Sequence, residues 1–303
     1  MKLFVLLKIH EPSYPHKATG NGNYRQSTLI PSPRHLIRGL VGSGFMKKLL
    51  GIIVLSLLLS GNVYSFGLPK DVGSGNSYKK SLEVGFKKHG VKIVDKKDGY
   101  PVRNGEQAVR FEVRLGDCGK DKLPGKWNDC KNDRQRHELS GKYFKGEIWI
   151  AYSIYLPDDF KSVFPAKLAL GQVHQKNRPP SLMFQLRDDG YFADRQMRGR
   201  TFEKKKLLDF QSMKGKWNDI LIHANFTKDQ DGFYKIWANN ELKYKYSGIT
   251  SEGKPNFFKF GVYQSFLKRY SWRKDNQRFP TQIVFYDEIR VGKSREDVIK
   301  NLY

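Results

Sequence analysis

Short stretches in which apolar and polar residues alternate recur along the chain from residue 108 onward, and turn residues separate them. This period of two is typical of β-strands. The predicted strands span 108–115, 146–155, 167–174, 182–186, 217–226, 233–238, 257–264 and 283–291. Their spacing favours antiparallel pairing over strand–helix–strand units, so the pattern predicts an all-β fold, an antiparallel β-sandwich.

The segments between these strands give weaker predictions. Asn239-Asn240 predicts a tight hairpin turn between two strands. The lysines at 204–206 predict a solvated loop, and residues 78–86 predict a short helix or strand. At the C-terminus, residues 294–303 predict a helical turn that Ser294 caps.

The first 65 residues have a different pattern. Residues 1–45 show no sustained period, which indicates an upstream or disordered extension. Met46, two lysines, an apolar run at 49–59 and Val63-Tyr64-Ser65 are typical of a signal peptide over 46–65. A transmembrane anchor is the alternative, but the run is shorter than the roughly 20 residues that a bilayer requires. We therefore expect a secreted or periplasmic protein without stable membrane insertion after cleavage.

The remaining chain of about 240 residues suits one large domain. We expect residues 66–107 to be an N-terminal segment joining the sandwich, and residues 108–303 to form the domain itself. No internal repeat or linker indicates a second domain. We expect a monomer.

The charge of the chain is strongly basic, with 55 Lys plus Arg against 30 Asp plus Glu. Beyond residue 65 these counts become 47 and 29, which leaves a net charge of +18. Such a surface attracts polyanions. Because nucleic acid is rarely the functional partner of an exported protein, we predict that the partner is an anionic polysaccharide. The alternative is that the charge only maintains solubility.

Cysteine usage fits export. Cys118 and Cys130 are the only two cysteines, and both lie in a loop-like stretch. A disulfide closing this short loop is the simplest prediction, with a stabilisation of about 3 kcal/mol. Two cysteines without a further ligand nearby do not make a zinc site, so no metal site is predicted.

Three short segments, at 136–139, 172–174 and 258–264, each lie in a stretch that is typical of a strand, so their alternating polar side chains are predicted to share faces. The pairs on one face are Arg136 with Glu138, Gln172 with His174, and Lys259 with Tyr263. In the last segment the skipped residues Phe258, Phe260 and Val262 suit a buried face. The polar set is therefore predicted to point into a groove.

These segments resemble motifs of the jelly-roll polysaccharide lyases, the group that contains heparin lyase I, glucuronan lyase and, more distantly, alginate lyases. The matching segments are Arg-His-Glu-Leu at 136–139, Gln-Val-His at 172–174 and Phe-Phe-Lys-Phe-Gly-Val-Tyr-Gln at 257–264. The stretches at 215–220, 235–240 and 285–292 are similar to the heparin and glucuronan branch. Gln264 and Ser140 depart from the alginate pattern, which has Asn and Arg there, and this puts an alginate substrate in doubt.

The resemblance implies a concanavalin-like jelly roll with a concave groove and a β-elimination reaction. Such a lyase removes the C5 proton of a uronic acid and expels the group on O4, which leaves a 4,5-unsaturated uronate end. Arg136 and Gln172 would stabilise the charge that develops at the sugar carboxylate. Tyr263 would be the acid, with its pKa lowered by neighbouring positive charge. Either Tyr263 or His174 would be the base.

Further residues are candidates for substrate binding. They are Glu138, Lys259, Gln264, Arg187, Arg178 and Lys176. Arginine suits bidentate contacts with carboxylates or sulfates. No cofactor is predicted; some relatives bind calcium, but no dense Asp/Asn loop indicates such a site here.

Three other interpretations compete. A non-catalytic carbohydrate-binding jelly roll would keep the groove without needing the joint set Arg136, Gln172, His174 and Tyr263. A glycoside hydrolase needs two carboxylates flanking the scissile bond, and no Glu-x-Asp-x-x-Glu strand occurs. Nucleic-acid binding rests on charge alone. Taken singly, His174 is an ordinary strand histidine, and Arg136 with Glu138 an exposed ion pair worth little.

Overall fold

Two antiparallel sheets dominate the computed structural model, which describes residues 65–70, 72–73, 77–274, 278–300 and 302. The predicted extension at 1–45 and the predicted signal peptide, apart from Ser65, lie outside the described residues, so both stay predictions. Among the described residues, no helix is long and apolar enough to cross a membrane.

The first sheet has eight strands. In spatial order they are β1 (Ser65–Gly67), β2 (Ser77–Lys80), β5 (Arg134–Ser140), β14 (Asn256–Ser265), β7 (Lys167–Gln175), β8 (Arg178–Leu186), β9 (Gly190–Met197) and β10 (Arg200–Asp209). The second sheet has seven, in the order β13 (Glu241–Ser247), β12 (Phe233–Ala238), β11 (Trp217–Phe226), β6 (Gly146–Tyr155), β15 (Gln282–Gly292), β4 (Gln107–Val113) and β3 (Val91–Asp95). Within the described residues, the helical elements are four short pieces, Lys96–Asp98, Cys130–Asn132, Phe210–Met213 and Lys268–Arg273.

The core lies between the two sheets and is rich in aromatic rings. Phe111 on β4 packs edge-on against Phe260 on β14, with ring centroids 5.7 Å apart, and Tyr152 on β6 stacks on Phe258 at 5.3 Å. All four side chains are fully buried. Such close aromatic contacts across the layers define a sandwich, which confirms the predicted all-β fold class.

All eight predicted strands are present. Asn239 and Asn240 both have positive φ, 49° and 65°, as a two-residue hairpin turn requires. The prediction of a loop at 204–206 was wrong, because these lysines lie within β10 at the edge of the first sheet. Exposed lysines protect such an edge from pairing with other chains, so their polarity does not exclude a strand.

The segment before the predicted domain adds strands to both sheets, and the last described residues of that domain pack on the second sheet. The segment at 66–107 contributes β2 to the first sheet and β3 to the second. At the other end, the described residues after β15 form turns in which the Asp297 N–H donates to Ser294 Oγ at 3.3 Å. Val298 and Leu302 are buried there against Ala151 and Leu221 of the second sheet.

Candidate active site

The three motif strands lie side by side in the first sheet, in the order β5, β14, β7. Lys259 is opposite Gln172 of β7, and Tyr263 is opposite Arg136 of β5. Because Phe258, Phe260 and Val262 of β14 are buried in the core, the alternating residues belong to the other face of the sheet. This face, with its row of polar side chains from β5, β14 and β7, is called the polar face below.

Glu138 is the central acceptor of the polar face. It is 1% exposed and accepts hydrogen bonds from Gln172 Nε2 at 2.6 Å, Lys259 Nζ at 3.0 Å and Arg136 Nη1 at 3.3 Å. Burial alone would raise the pKa of Glu138, but the charges of Lys259 and Arg136 hold it below the usual range. Glu138 is therefore an ionised buried group that holds three donors of the site together.

Lys259 is buried with Glu138, at 5% exposure. Burial and the nearby charge of Arg136 lower its pKa, while Glu138 opposes that shift. The predicted substrate-binding residues Glu138 and Lys259 thus bind each other in this structure, at the base of the site.

Arg136 is held by two carboxylates. Its Nε and Nη2 donate to Asp129 at 2.7 and 2.6 Å, and its Nη1 donates to Glu138. Burial opposes its charge, but Asp129 and Glu138 outweigh that effect and raise its pKa. The guanidinium carbon also lies 4.2 Å from the ring centre of Tyr263, so Arg136 is a fixed cation beside the phenol.

Asp129 is a residue that sequence reasoning missed. It is fully buried, and its carboxylate also accepts a 2.8 Å hydrogen bond from Trp127 Nε1. The neighbouring Cys130 forms the predicted disulfide with Cys118, at a Cα–Cα distance of 5.1 Å. The disulfide therefore anchors the loop that carries the bidentate partner of Arg136, and adjacency to a cystine was the available signal.

Tyr263 receives a second arginine. Arg134 Nε donates to the Tyr263 hydroxyl at 2.8 Å. We expected positive charge to lower the pKa of Tyr263, and Arg136 and Arg134 do act in that direction, but burial outweighs both and raises it. That expectation was wrong: the phenol stays protonated at neutral pH. Since its oxygen already accepts from Arg134, its own hydrogen is available for donation.

His174 lies at the other end of the polar row from Tyr263. Its register partner is Phe257, and the positions of Lys259 and Gln172 lie between the two. Burial, followed by the charge of Lys259, lowers its pKa to about 4. His174 Nδ1 lies 2.9 Å from the carbonyl oxygen of Gln175. Because a carbonyl only accepts, Nδ1 carries the hydrogen and Nε2 keeps its lone pair.

An aromatic strip continues the site past His174. The rings of His174 and Phe257 lie 5.2 Å apart, and Phe257 meets Tyr143 edge-on at 5.2 Å. Tyr143 is 59% exposed, and Lys176 lies 5.8 Å from its ring centre. The predicted binding residue Lys176 is thus at this end, beside an open aromatic face.

A bulge in β14 sets the position of Tyr263. The register between β14 and β7 shifts between Phe260 and Tyr263, and Gly261 there has φ of +125°. The Gly261 carbonyl accepts a 2.9 Å hydrogen bond from the Tyr286 hydroxyl of β15. A Cβ at this glycine would clash with the His137 carbonyl oxygen, so the motif requires glycine.

Other predicted binding residues have different surroundings. Gln264 does not reach the polar face: it is fully buried, and its Oε1 accepts from Gln135 Nε2 at 2.5 Å, because alternation turns it away from Tyr263. That prediction was wrong. Arg178 is half exposed and lies 3.5 Å from Glu252, at the start of β8.

Arg187 marks a basic region of the polar face, beyond Tyr263. Its Nη2 binds Asp194 at 2.8 Å, whereas its Nη1 is buried and has no hydrogen-bond partner among the described residues. Arg134, Lys167 and Arg269 all approach the Phe266 ring, at 5.4, 5.4 and 4.1 Å from its centre. The "basic end" below means the set Arg134, Lys167, Arg187, Lys204 and Arg269.

The cations of the basic end act on one another. Burial lowers the pKa of Lys167, and the charges of Arg269, Lys204 and Arg187 lower it further against the influence of Asp194. Asp194 is the acidic residue that pairs with Arg187 there, and burial raises its own pKa. Like charges held this closely are relieved when an anion binds.

One cluster with metal-ligand residue types occurs among the described residues, His89 with Asp117 and His137. His137 Nε2 accepts from the Lys87 N–H at 3.2 Å, and its Nδ1 donates to the Glu112 carbonyl at 2.6 Å. Both ring nitrogens are thus engaged, and His89 Nε2 already lies 2.7 Å from Asp117. The cluster does not fit a metal ion.

Comparison with solved structures finds several lyases among the matching chains. The endo-β-1,4-glucuronan lyase of the fungus Trichoderma reesei is 18% identical, with a TM-score of 0.49 over 70% of this chain and 91% of that chain. Alginate lyase AlgAT5 of polysaccharide lyase family 7 is 17% identical, with a TM-score of 0.47 over 74% of this chain and 97% of that one. Among curated proteins, none matches this sequence.

A family model gives the firmer result. The model described as polysaccharide lyase matches residues 78–290, which is more than half of the chain. The match spans all three motif strands, the disulfide loop and the basic end. On this match, the chain belongs to the polysaccharide lyase family.

Proposed function

We propose that this lyase cleaves an anionic polysaccharide containing uronic acid by β-elimination. The C5–H bond and the C4–O4 bond break, a C4–C5 double bond forms, and the proton lost from C5 is balanced by one gained at O4. The observation that carries the proposal is a protonated Tyr263 beside the fixed cation Arg136, together with a neutral His174 at the other end of the same polar row.

Arg136 and Gln172 are suited to the sugar carboxylate. A guanidinium has five N–H hydrogens and an amide has two. Arg136 uses three of them on Asp129 and Glu138, and Gln172 uses one on Glu138. The remaining donors are available to a carboxylate whose charge grows as C5 loses its proton, and a donor fixed beforehand costs little reorganisation.

Tyr263 is the proposed acid for O4. Its raised pKa keeps the phenol protonated, and Arg134 stabilises the phenolate that remains after donation. A charge-assisted hydrogen bond of this kind is about twice as strong as a neutral one.

His174 is the proposed base for C5, because it is neutral above about pH 4 and Nε2 is unprotonated. Its separation from Tyr263 along the strands favours a second assignment, in which Tyr263 serves as both base and acid. The two assignments differ in what His174→Asn does: under the first, turnover is lost, and under the second, it persists.

The basic end supports an anionic substrate with several charged groups. A polymer lying along the polar face past Tyr263 would bring further carboxylates or sulfates to Lys167, Lys204 and Arg269. Arginine and lysine bind such groups through charge-assisted hydrogen bonds.

The test is absorbance of the unsaturated uronate product during incubation with glucuronan, heparan sulfate, heparin, alginate or ulvan. We expect one of these polymers to give a rising band, and Tyr263→Phe to abolish it. Tyr100→Phe is the matched control, since Tyr100 lies outside the first sheet and is 41% exposed. Tight binding of a polymer without any band would instead identify a carbohydrate-binding protein.

A further inference from the structure

A second cleft lies away from the polar face, where β9 and β10 of the first sheet approach β13 of the second. Its volume is about 610 Å³. The lining residues that matter here are Arg195, Arg198, Phe202, Lys228, Gln230 and Tyr246.

This cleft is distinct from the candidate active site. Arg195 is opposite Leu182, a fully buried core residue of β8, whereas the next residue, Asp194, binds Arg187 of the basic end. Neighbouring residues on a strand point to opposite faces. Arg195 therefore lies on the core side of the sheet, on the strand next to the edge strand β10.

Arg195 is held in place but has a free donor. Its guanidinium lies 4.3 Å from the ring centre of Tyr246 and 5.4 Å from that of Phe202. Its Nε is buried and makes no hydrogen bond to a described residue; it forms an ion pair with Glu203, whose carboxylate oxygen is 3.6 Å away, beyond hydrogen-bonding distance. A buried donor without a partner favours an acceptor supplied by a ligand.

The charge of the lining favours an anion. Arg198 and Lys228 are exposed cations of the cleft, and Glu252 is its carboxylate. Glu252 is already engaged, because it accepts from the Arg198 backbone N–H at 3.3 Å and lies 3.5 Å from Arg178. Counting Glu203, which pairs with Arg195, the three cations stand against two carboxylates, and the positive balance favours an anion.

Phe202 adds a surface for a sugar ring. Its side chain is 60% exposed at the mouth of the cleft, on the edge strand β10. An exposed aromatic face packs against the C–H face of a pyranose. The hydroxyls of the sugar need polar partners, and Gln230 and Ser251 also line the cleft.

We propose that this cleft is a second saccharide site, which binds one acidic sugar unit with its carboxylate at Arg195 and its ring on Phe202. The site goes beyond the proposed elimination and does not require it. On a polymer, occupation of both sites by one chain raises the apparent affinity without any new contact at the active site.

The direct test is NMR of the arginine Nε–Hε signals during titration with methyl β-D-glucuronide, and in parallel with the neutral methyl β-D-glucoside. Neither probe has a sugar on O4 to eliminate, so the result is independent of lyase activity. We expect the Arg195 signal to shift with the glucuronide only. An unchanged signal, or equal shifts with both probes, overturns the proposal.

Polymer retention gives a second readout. In native electrophoresis through gels containing the polymer, Arg198→Gln with Lys228→Gln should weaken retention at least about tenfold in apparent Kd. The matched control is Lys92→Gln with Lys97→Gln, which removes the same charge from exposed positions near β3. Equal weakening in both double variants means that net charge alone is responsible, and the site does not exist.

Discussion

Tyr263 and His174 have the opposite protonation states that an acid and a base need, so the reaction rate should depend on pH in a measurable way. With a pKa of about 4, His174 is neutral and able to accept a proton above that pH. Tyr263 keeps its proton until beyond the usual phenol pKa of about 10. We therefore expect kcat/KM of the free enzyme to rise through about pH 4, to stay level across neutrality, and to fall only in strong alkali.

The measurement is initial rate against pH at low substrate concentration. If the Tyr263 phenolate is the base, the rate instead climbs through the alkaline range, because only the deprotonated fraction reacts. His174→Asn separates the two cases, since it abolishes turnover when His174 is the base and leaves the alkaline climb in place when Tyr263 is the base.

Arg134 is a second residue whose effect can be measured. Arg134→Met keeps the length of the side chain but removes the donor to the Tyr263 hydroxyl. We expect kcat to fall by roughly 10- to 100-fold, since one charge-assisted hydrogen bond is worth about 1.5–3 kcal/mol. KM should change less, because the bond acts on the phenolate that forms during the reaction.

A shifted pH profile would identify this role. Without Arg134, the alkaline fall of the rate should move to higher pH, because a positive charge that lowers the Tyr263 pKa is gone. Arg134→Lys should recover part of kcat. A loss of kcat with an unchanged profile in Arg134→Met would contradict the assignment.

For single residues, the alternation of side chains along a strand could predict which motif residues share a face. It could not predict which neighbouring residues hold the motif side chains in place. Arg136 and Gln172 were predictable because they lie within regular strands. Asp129 was not, because its position depends on the disulfide loop and not on a period. Gln264 was assigned from its motif against the alternation, which places it on the buried side.

The bulge in β14 decides how the third motif is presented. Gly261→Ala should lower the free energy of unfolding by about 2–4 kcal/mol, because the added Cβ meets the His137 carbonyl and Phe111 at a φ of +125°. Urea denaturation measures the change.

Gly171→Ala is the matched control for that substitution. Gly171 is on β7, opposite Phe260 of β14, and has no positive φ. A Cβ added there would lie 3.5 Å from Phe184, which is an ordinary van der Waals contact. We expect it to change the free energy of unfolding by less than about 1 kcal/mol. Similar losses in both variants would show that crowding in general, and not the bulge, is the cause.

The elements themselves were largely predictable, and two of the exceptions have identifiable causes. Strands buried on one face have a clear period of two, as in β6 and β11, whose bounds match the prediction. Strand β10 was mistaken for a loop because it is an edge strand, where lysines are tolerated at successive positions. Strand β9 went unrecognised because both of its faces carry polar groups, with Asp194 on one and Arg195 on the other.

For the whole molecule, net charge predicts attraction to polyanions. The positions of the charges predict on which side of Tyr263 the substrate polymer lies. The basic end places cations on the polar face beyond Tyr263. Lys204→Gln with Arg269→Gln removes two exposed members and leaves the Arg187–Asp194 pair intact. We expect KM to rise about tenfold with kcat nearly unchanged, since these contacts bind the substrate equally before and during the reaction.

Salt dependence and a charge-matched control decide whether position matters. In the unsubstituted protein KM should rise with ionic strength, and the double variant should have a flatter dependence, because two screened interactions are gone. Lys92→Gln with Lys97→Gln lowers the net charge equally at positions outside the polar face. If that control raises KM as much as the basic-end variant, long-range attraction explains the binding; if KM stays low, the substrate must lie along the basic end, on the Tyr263 side of the row.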